Sequence, residues 1–548
     1  MAADLAVFGA RIRTMNPAQP FVEALAVKGG RIIALGSAAE VRAECDASTV
    51  IHSGADWHIT PGLNDGHQHL LMGSQVGRGI NFDRVSNLDD VRALLRAERK
   101  RVGLGGWIQG FAFEYAALGG LEYHHALIDE AAGDGPMLFH ALDMHTAFAN
   151  AEALRIAGIT GARRFQDASF IVCDDSGAPT GELRELSAMQ AVTDHAPIPT
   201  EADKLAWYEE TIRAQNAVGI TSIHQMDGGQ ETIDALRALE AAGTLNLRVR
   251  FHQWVDPNTD PAGIAEIISR RDFAGSMWTA NSVKFMLDGV IDTGTAWLEE
   301  PDTHGNGTDP MWPDMDHFRR TLRQFHDAGF YIATHAIGDR SVREVLDAYE
   351  TFPGESRHRI EHVEAAPTAS VRRFASQKVS ASMQPIHLRW LNADMTDPWS
   401  ERLGVHRCDH TMPSGDIYAA GANVVLGSDW PVAPYDPRLG IFAAQRRYAP
   451  DVDDHRSLGK SRGLTGLETL AGYTVNAARV TGESGALEVG GRADFVAWGA
   501  DPADCVPEDV VELPVNLTVV DGLLQSPLGP APDDRGRPAV GKRLAYAV

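Results

Sequence analysis

Eight short apolar segments that alternate with helical patterns constrain the fold of this chain more than any other feature. Such alternation is typical of βαβ units and of a parallel sheet. Eight is also the number of strands that closes a parallel sheet into a barrel surrounded by helices. The segments are, in chain order, WHITPGLNDGHQH, GITSIHQMD, LRVRFHQWV, SVKFMLDGV, FYIATHAIG, HRIEHVE, VSASMQP and NVVLGSDW. The sequence therefore predicts an α/β fold, a (β/α)8 TIM barrel.

Both ends of the chain have the pattern of short strands joined by tight turns. Near the start these are LAVFGARIRTM and ALAVKGGRIIALG, and near the end GALEVGGRADFVAWG and NLTVVDGLLQ. The turn between strands in the second of these is KGGR, which is typical of a hairpin. We expect a small β-sandwich domain formed by residues 1–60 and 476–548, with the barrel in residues 61–475.

One interval between strands is too long for a simple crossover. About 130 residues, from about residue 85 to about residue 215, separate the first and second predicted strands, whereas connections in α/β units are much shorter. The sequence therefore predicts an inserted subdomain after the first barrel strand.

Two helices of the barrel can be placed from their apolar stripes. In HFRRTLRQFHDAGF, Phe318, Leu322 and Phe325 mark one face, and Gly329 is where a glycine would end the helix. In the helix after the fifth strand, Ser341 and Glu344 have the spacing of a capping box.

Composition narrows the classes of function. Over 548 residues, Lys+Arg 49 against Asp+Glu 74 gives a net charge of −25, which disfavours a nucleic-acid or anionic-membrane partner. No apolar run approaches the roughly 18 residues of a membrane span. Four cysteines without a CxxC pair, and a start that lacks the pattern of a signal peptide, indicate a reducing cytoplasm. We expect a cytoplasmic protein that acts on a small molecule.

The strongest local signal for chemistry is the pair His67 and His69. Residues i and i+2 of a strand point to the same side, so both imidazoles can enter the barrel and bind one divalent metal. An HxH pair alone is more often a packing feature. Here, however, His335, His362 and Asp429 also stand at the C-terminal ends of predicted strands, where barrel enzymes place catalytic groups. Convergence of all five favours a metal site.

Lys284 and Asp288 in the fourth segment have the same parity and are predicted to face the barrel interior. A buried lysine charge needs compensation. Two explanations remain open. Asp288 could pair with the lysine, or CO2 could convert the lysine into a carbamate, an anion able to bridge two cations.

The motifs together resemble a known family. PGLNDGHQH, VKFMLDG, THAIGDRSV, RIEHVE, VSASMQPIH and GSDWPV, in this order, are similar to those of the amidohydrolase superfamily, in its amidohydrolase-3 branch, which includes N-substituted formamide deformylases. The resemblance implies that His67 and His69 bind the more buried metal, that carboxylated Lys284 bridges to a second metal at His335 and His362, and that Asp429 contacts the buried metal and shuttles protons. Candidates for substrate contacts are Asp288, Gln384, His387, His145 and Asn150.

These observations predict a metal-dependent hydrolase of a non-peptide C–N bond, in an amide or N-substituted formamide. A metal-activated hydroxide would attack, with Asp429 as general base and then acid and with His335 in the catalytic set. We expect one or two divalent ions per subunit, with Zn2+ as the first choice, and a homodimer. The alternatives are a mononuclear deaminase or cyclic-amide hydrolase of the same fold and, least favoured, a non-catalytic barrel scaffold.

Overall fold

The computed structural model describes residues 2–83, 85–141, 146–165, 169–353, 357–452 and 454–525. These fall into two compact units, described separately below. The first unit comprises the residues up to His69 and those from Glu209 onwards, and the second comprises Leu70–Tyr208. Within the described residues, no helix combines the length and the apolar character needed to cross a membrane.

The predicted barrel is confirmed in the first unit. Each of the eight predicted segments supplies one strand of a parallel sheet, and neighbours in the sheet follow chain order. Strand 8 meets strand 1 just beyond the strand ends, where the Asp429 N–H donates to His67 O at 2.7 Å and the His69 N–H donates to Trp430 O at 2.8 Å. Barrel strands 1 to 8 are Leu63–Gln68, Ile220–Gln225, Arg248–Val255, Trp278–Met286, Tyr331–Ala336, Arg359–His362, Ser380–Met383 and Val424–Leu426.

Successive residues of the barrel strands alternate between the helix layer and the barrel interior. Ile360 and Met383 belong to the apolar core between strands and helices. Residues of the opposite parity, His335, Glu361 and Ser382, are aligned with one another across strands 5, 6 and 7. The interior of the barrel is therefore lined with buried polar side chains, which are tolerated only where they bind one another or a ligand.

The helices of the first unit include the crossovers between the barrel strands. The α-helices of the first unit are Ala38–Arg42, Gln230–Ala241, Pro261–Ser269, Met315–Asp327, Asp339–Glu350, Thr368–Gln377, Pro398–Leu403, Ser414–Ala419, Pro437–Arg446, Gly466–Gly472, Val475–Arg479 and Pro507–Val510. Short 3-10 helices cover Pro385–Trp390 and Val405–His410. Helix Glu201–Ala217 crosses the boundary between the two units.

The two helix predictions have opposite outcomes. Helix Met315–Asp327 buries Phe318, Leu322 and Phe325, and Gly329 follows it with φ 81°, as predicted. The capping box at Ser341 and Glu344 is wrong, because the helix begins at Asp339 after the N-cap Gly338. The Ser341 N–H instead donates to the distant Trp297 O at 3.2 Å, so a tertiary contact replaces the local cap.

A mixed sheet combines strands from both ends of the chain. Its central path runs from Leu523–Gln525 through Val515–Val520, Phe495–Trp498, His58–Pro61, Leu5–Arg13 and Phe21–Lys28 to Arg31–Gly36, with Val50–Ser53 also paired to Leu5–Arg13. Val7, Leu25, Phe495 and Val519 lie in its buried core. The expected β structure from both termini is thus present.

The second unit contains the insertion, which the sequence placed at about residues 85 to 215. Its mixed sheet runs in the order Phe170–Cys173, Pro179–Arg184, Thr146–Ala149, Met137–Ala141, Ile108–Phe113 and Ile80–Asn81. Its α-helices are Leu70–Val76, Leu88–Val102, Asp129–Ala132, Ala151–Ile156 and Leu186–Thr193, with 3-10 turns at Tyr115–Leu118 and His125–Leu127. A cluster that includes Phe82, Phe113, Phe139 and Phe148 forms its own apolar core.

Candidate metal centre

The Asp429 carboxylate is the meeting point of the site. It follows barrel strand 8 in a left-handed conformation, φ 62°, which residues other than glycine seldom adopt. Its Oδ1 lies 3.2 Å from the Nε2 of His67 and 3.2 Å from the Nε2 of His69. Backbone strain of this kind concentrates at functional sites, where the surrounding structure enforces it.

Each of these two imidazoles has a second carboxylate near its Nδ1 atom. His67 Nδ1 lies 2.7 Å from Glu361 Oε2, and His69 Nδ1 lies 3.0 Å from Asp227 Oδ1. In a neutral imidazole, a carboxylate at Nδ1 favours the tautomer that carries its proton there, which leaves Nε2 to bind a metal beside Asp429. Both rings are therefore oriented as metal ligands.

His362 approaches the other carboxylate oxygen. Its Nδ1 is 3.9 Å from Asp429 Oδ2, and its backbone is also left-handed, at φ 72°. Ligand atoms of His67, His362 and Asp429 all lie within 4.8 Å of one another. The His335 ring centroid is 4.4 Å from that of His362, and His335 Nε2 is 3.1 Å from Gly289 O, so its Nδ1 is the nitrogen left for a ligand.

These residues fit a divalent metal. Within the described residues, the buried His362 Nδ1 and His387 Nε2 have no hydrogen-bond partner, and both lie within 4 Å of Asp429 Oδ2. A buried nitrogen without a hydrogen-bond partner lowers the stability of the fold unless a ligand binds it. Imidazole nitrogen and carboxylate oxygen are ligands that zinc and similar ions prefer.

Burial and charge shift the protonation of the site. Burial tends to lower the pKa of His69, but Asp227 and Asp429 outweigh it and raise the pKa to about 9. Burial, reinforced by Lys284, lowers the pKa of His335 to about 3, so this imidazole is neutral. Burial would raise the pKa of Asp429, yet His67 and His69 hold it well below its ordinary value.

Lys284 in barrel strand 4 is 2% exposed. Burial lowers its pKa to about 8, although Glu361 and Asp429 favour its charged form. The alternative in which Asp288 neutralises the lysine is wrong. Asp288 lies beyond the end of the strand and instead accepts the N–H groups of Trp297, Ile337 and Gly338 at 2.9, 3.0 and 2.9 Å.

The remaining predicted residues fall in different places. Gln384 and His387 follow barrel strand 7, and His387 lies between Asp429 Oδ2 at 3.6 Å and Glu364 Oε1 at 3.7 Å. Asn150 belongs to the second unit, where it caps helix Ala151–Ile156 and also accepts the Met137 N–H. His145 lies outside the described residues.

Four charged residues of the site were missed as participants. Glu361 and Arg359 form an ion pair at 2.6 Å behind His67, Asp227 supports His69, and Asp65 binds the Ser428 N–H and hydroxyl at 2.9 and 2.6 Å. The sequence does contain a signal for them, because each is a charged residue within or directly after an apolar strand segment. Asp65 thereby links strand 1 to the segment that carries Asp429.

Known proteins are similar to this chain over most of its length. The chain is 28% identical over 537 residues to Protein LONG AFTER FAR-RED 3 of Arabidopsis thaliana, which covers 93% of this chain and 89% of the relative. It is 24% identical over 571 residues to N-substituted formamide deformylase of Arthrobacter pascens, covering 95% and 98% of the two chains. The structure of an uncharacterized metal-dependent hydrolase from Pyrococcus horikoshii OT3 superimposes with a TM-score of 0.74 at 23% identity, over 92% of this chain and 99% of that one.

The family assignment follows from a match over most of the chain. The family model described as "Amidohydrolase family" matches residues 56–524, which include barrel strands 1 to 8 and the site residues His67, His362 and Asp429. The resemblance seen in the sequence motifs is thereby confirmed, and this chain belongs to the amidohydrolase family.

Proposed function

We propose that this protein is a metal-dependent hydrolase that cleaves a non-peptide C–N bond in an amide or N-substituted formamide. The observation that carries the proposal is the surroundings of Asp429. One carboxylate oxygen is 3.2 Å from two imidazole nitrogens, and the other faces two buried imidazole nitrogens. The 24% identity to an N-substituted formamide deformylase supports the choice of bond.

His67, His69 and Asp429 would hold the first metal, and His335, His362 and a carboxylated Lys284 would hold a second. Zn2+ is our choice, because it accepts this mixture of nitrogen and oxygen ligands. When bound, such an ion makes water acidic enough to ionise near pH ~7 and polarises a carbonyl oxygen.

Asp429 would move the proton. It is ionised at neutral pH, because His67 and His69 lower its pKa against the effect of burial. It can accept one proton from the attacking water and return it to the leaving nitrogen as the C–N bond breaks. Amide plus water then gives a carboxylic acid and an amine, and the enzyme returns to its starting state.

His335 would bind as a neutral imidazole throughout, because burial keeps its pKa near 3. Its Nε2 is held by Gly289 O at 3.1 Å, which fixes the ring. His335 can therefore orient the metal or the substrate carbonyl without taking up a proton of its own.

A one-metal hydrolase or deaminase is the second candidate. It is favoured by His67, His362 and Asp429, whose ligand atoms lie within 4.8 Å of one another and could hold a single ion. In that case Lys284 stays an amine, and the protein binds one ion per chain.

The experiment is a substrate screen on metal-free and reconstituted protein. N-formyl, N-acyl and cyclic amides are incubated with each form, and the released amine is measured. We expect turnover only with metal, and its loss in His69→Ala, whereas His304→Ala, in an exposed loop, keeps it. Full activity in thoroughly chelated protein, or no C–N cleavage by the reconstituted protein, would overturn the proposal.

A further inference from the structure

Gln384 is a buried side chain between barrel strand 7 and His387, whose Nε2 lies 3.6 Å from Asp429 Oδ2. It is 3% exposed, and neither its Oε1 nor its Nε2 has a hydrogen-bond partner among the described residues. Leaving both atoms of a buried carboxamide unpaired costs stability. A binding site is a natural reason for a protein to retain such a group.

The strand register directs Gln384 towards the barrel interior. Ser382 is aligned with Glu361, and Glu361 faces the interior because it contacts His67. Gln384 lies two residues beyond Ser382 and so has the same parity, one step nearer the C-terminal mouth. The Gly427 N–H donates to Met383 O at 3.1 Å, which holds this segment against the one that carries Asp429.

His387 brings the same segment to the reacting groups. It lies three residues after Gln384 in the 3-10 helix Pro385–Trp390, and its Nε2 is 3.6 Å from Asp429 Oδ2. That nitrogen is also buried without a hydrogen-bond partner. The orphaned polar atoms of Gln384 and His387 thus belong to one short segment beside the proton-transfer carboxylate.

We propose that Gln384 recognises a substrate amide whose N–H and C=O lie on the same edge. This inference rests on the proposed function and, among its substrates, favours lactams, cyclic ureides and primary amides over open-chain secondary amides, N-substituted formamides included. A carboxamide presents a donor and an acceptor side by side and can form two parallel hydrogen bonds with such an edge. Open-chain secondary amides are overwhelmingly trans, with N–H and C=O on opposite edges, so they can form only one of the two.

The test measures binding rather than turnover. δ-Valerolactam, its N-methyl derivative and open-chain N-methylacetamide are titrated into the metal-loaded protein by calorimetry. We expect the lactam to bind about tenfold more tightly than either of the others, since one neutral hydrogen bond is worth about that factor. Gln384→Met, which keeps the side-chain length, should reduce the ratio to about one.

The matched control is Gln324→Met, which changes an exposed glutamine of helix Met315–Asp327 and should leave the ratio unchanged. Metal content and circular dichroism confirm that each variant is folded and loaded. Equal affinities for the three probes, no binding of any probe, or a preference that persists in Gln384→Met would overturn the inference. The last result would mean that water satisfies Gln384.

The two proposals can fail separately. Lactam preference that depends on Gln384, in a protein that hydrolyses no C–N bond, would end the proposed function and leave Gln384 as a recognition residue. Hydrolysis of open-chain amides with the same kcat/KM as cyclic ones, unaffected by Gln384→Met, would end the inference and leave the proposed function.

Discussion

His67 Nδ1 and Glu361 Oε2 lie 2.7 Å apart, although 294 positions separate the two residues in the chain. Glu361 is in turn paired with the buried Arg359 at 2.6 Å. Burial opposes the ionised form of Glu361, yet Arg359 and His67 lower its pKa far below the ordinary value. The carboxylate is therefore an anion at any working pH, and it can hold the tautomer of His67 in which Nε2 faces the metal.

Glu361→Gln should weaken metal binding by about 10- to 100-fold, because the amide no longer fixes the His67 tautomer. The affinity is measured by competition with a coloured chelator. Glu350→Gln, at the exposed end of helix Asp339–Glu350, is the matched control. Because Glu361→Gln leaves Arg359 buried and unpaired, the double variant Arg359→Met/Glu361→Gln tests whether stability returns while the metal affinity stays low. An unchanged affinity in both variants would show that Glu361 does not position His67.

Asp429→Asn should reduce kcat by about 10²- to 10⁴-fold, the usual contribution of a general acid or base. The amide has the same shape but cannot take up the water's proton. Steady-state kinetics with a substrate from the screen measure the effect, and metal analysis shows whether the ion is retained. Asp409→Asn, which removes a surface partner of Lys460, is the control. Activity above about a tenth of the original would exclude Asp429 as the proton carrier.

The sequence predicts the barrel well for a physical reason. Along the strands, alternate residues such as Ile360 and Met383 are apolar and pack against the helix layer. The residues between them must then point into the barrel interior. The same alternation along strand 1 places His67 and His69 on one side, facing the barrel interior. Applied to all eight strands, it brings His362 and Asp429 to the same end of the barrel.

The partners of these ligands could not be assigned from the sequence. Asp227 reaches His69 because strand 2 pairs with strand 1, and Glu361 of strand 6 reaches His67 of strand 1 because the barrel closes. Asp288 is a further example. Its parity indicated an ion pair with Lys284, but its carboxylate accepts the N–H groups of Ile337 and Gly338, which follow strand 5. At Asp288, these long-range hydrogen bonds override local parity.

His358 provides a prediction on acid stability, away from the metal. It is buried, its Nε2 is 2.8 Å from His326 Nδ1, and the Ile332 N–H donates to its Nδ1 at 3.3 Å. Burial, with His326 and Arg357, lowers its pKa to about 3 from the ordinary 6.5. The unfolded chain therefore binds more protons than the folded one between these values, and stability falls as the pH falls below 6.5.

At pH 5 this effect of His358 amounts to about 2 kcal/mol of the free energy of unfolding. His358→Asn, whose side-chain oxygen can still accept the Ile332 N–H, should flatten the loss between pH 7 and pH 5 by about that amount. Urea unfolding of metal-free protein at the two pH values measures it. His304→Asn, at an exposed position, should behave like the original protein. Equal slopes in all three proteins would contradict the assignment.

Lys284 decides between the one-metal and two-metal forms of the site. It is 2% exposed in barrel strand 4, and burial lowers its pKa to about 8, so the neutral amine that reacts with CO2 is accessible near neutral pH. A carbamate would replace the buried cation by an anion, whose desolvation the metal cations would compensate. We therefore expect Lys284→Ala to bind one ion per chain where the original binds two, as counted by elemental analysis. A short carboxylic acid such as acetate, small enough for the space left, should restore part of the second ion and part of the activity. Lys460→Ala, at an exposed position paired with Asp409, is the control and should keep both ions.

Labelled bicarbonate should also give a carbamate signal by NMR in the original protein and none in Lys284→Ala. If the original binds one ion and Lys284→Ala binds the same one, the lysine is an ordinary amine and the hydrolase works with a single metal.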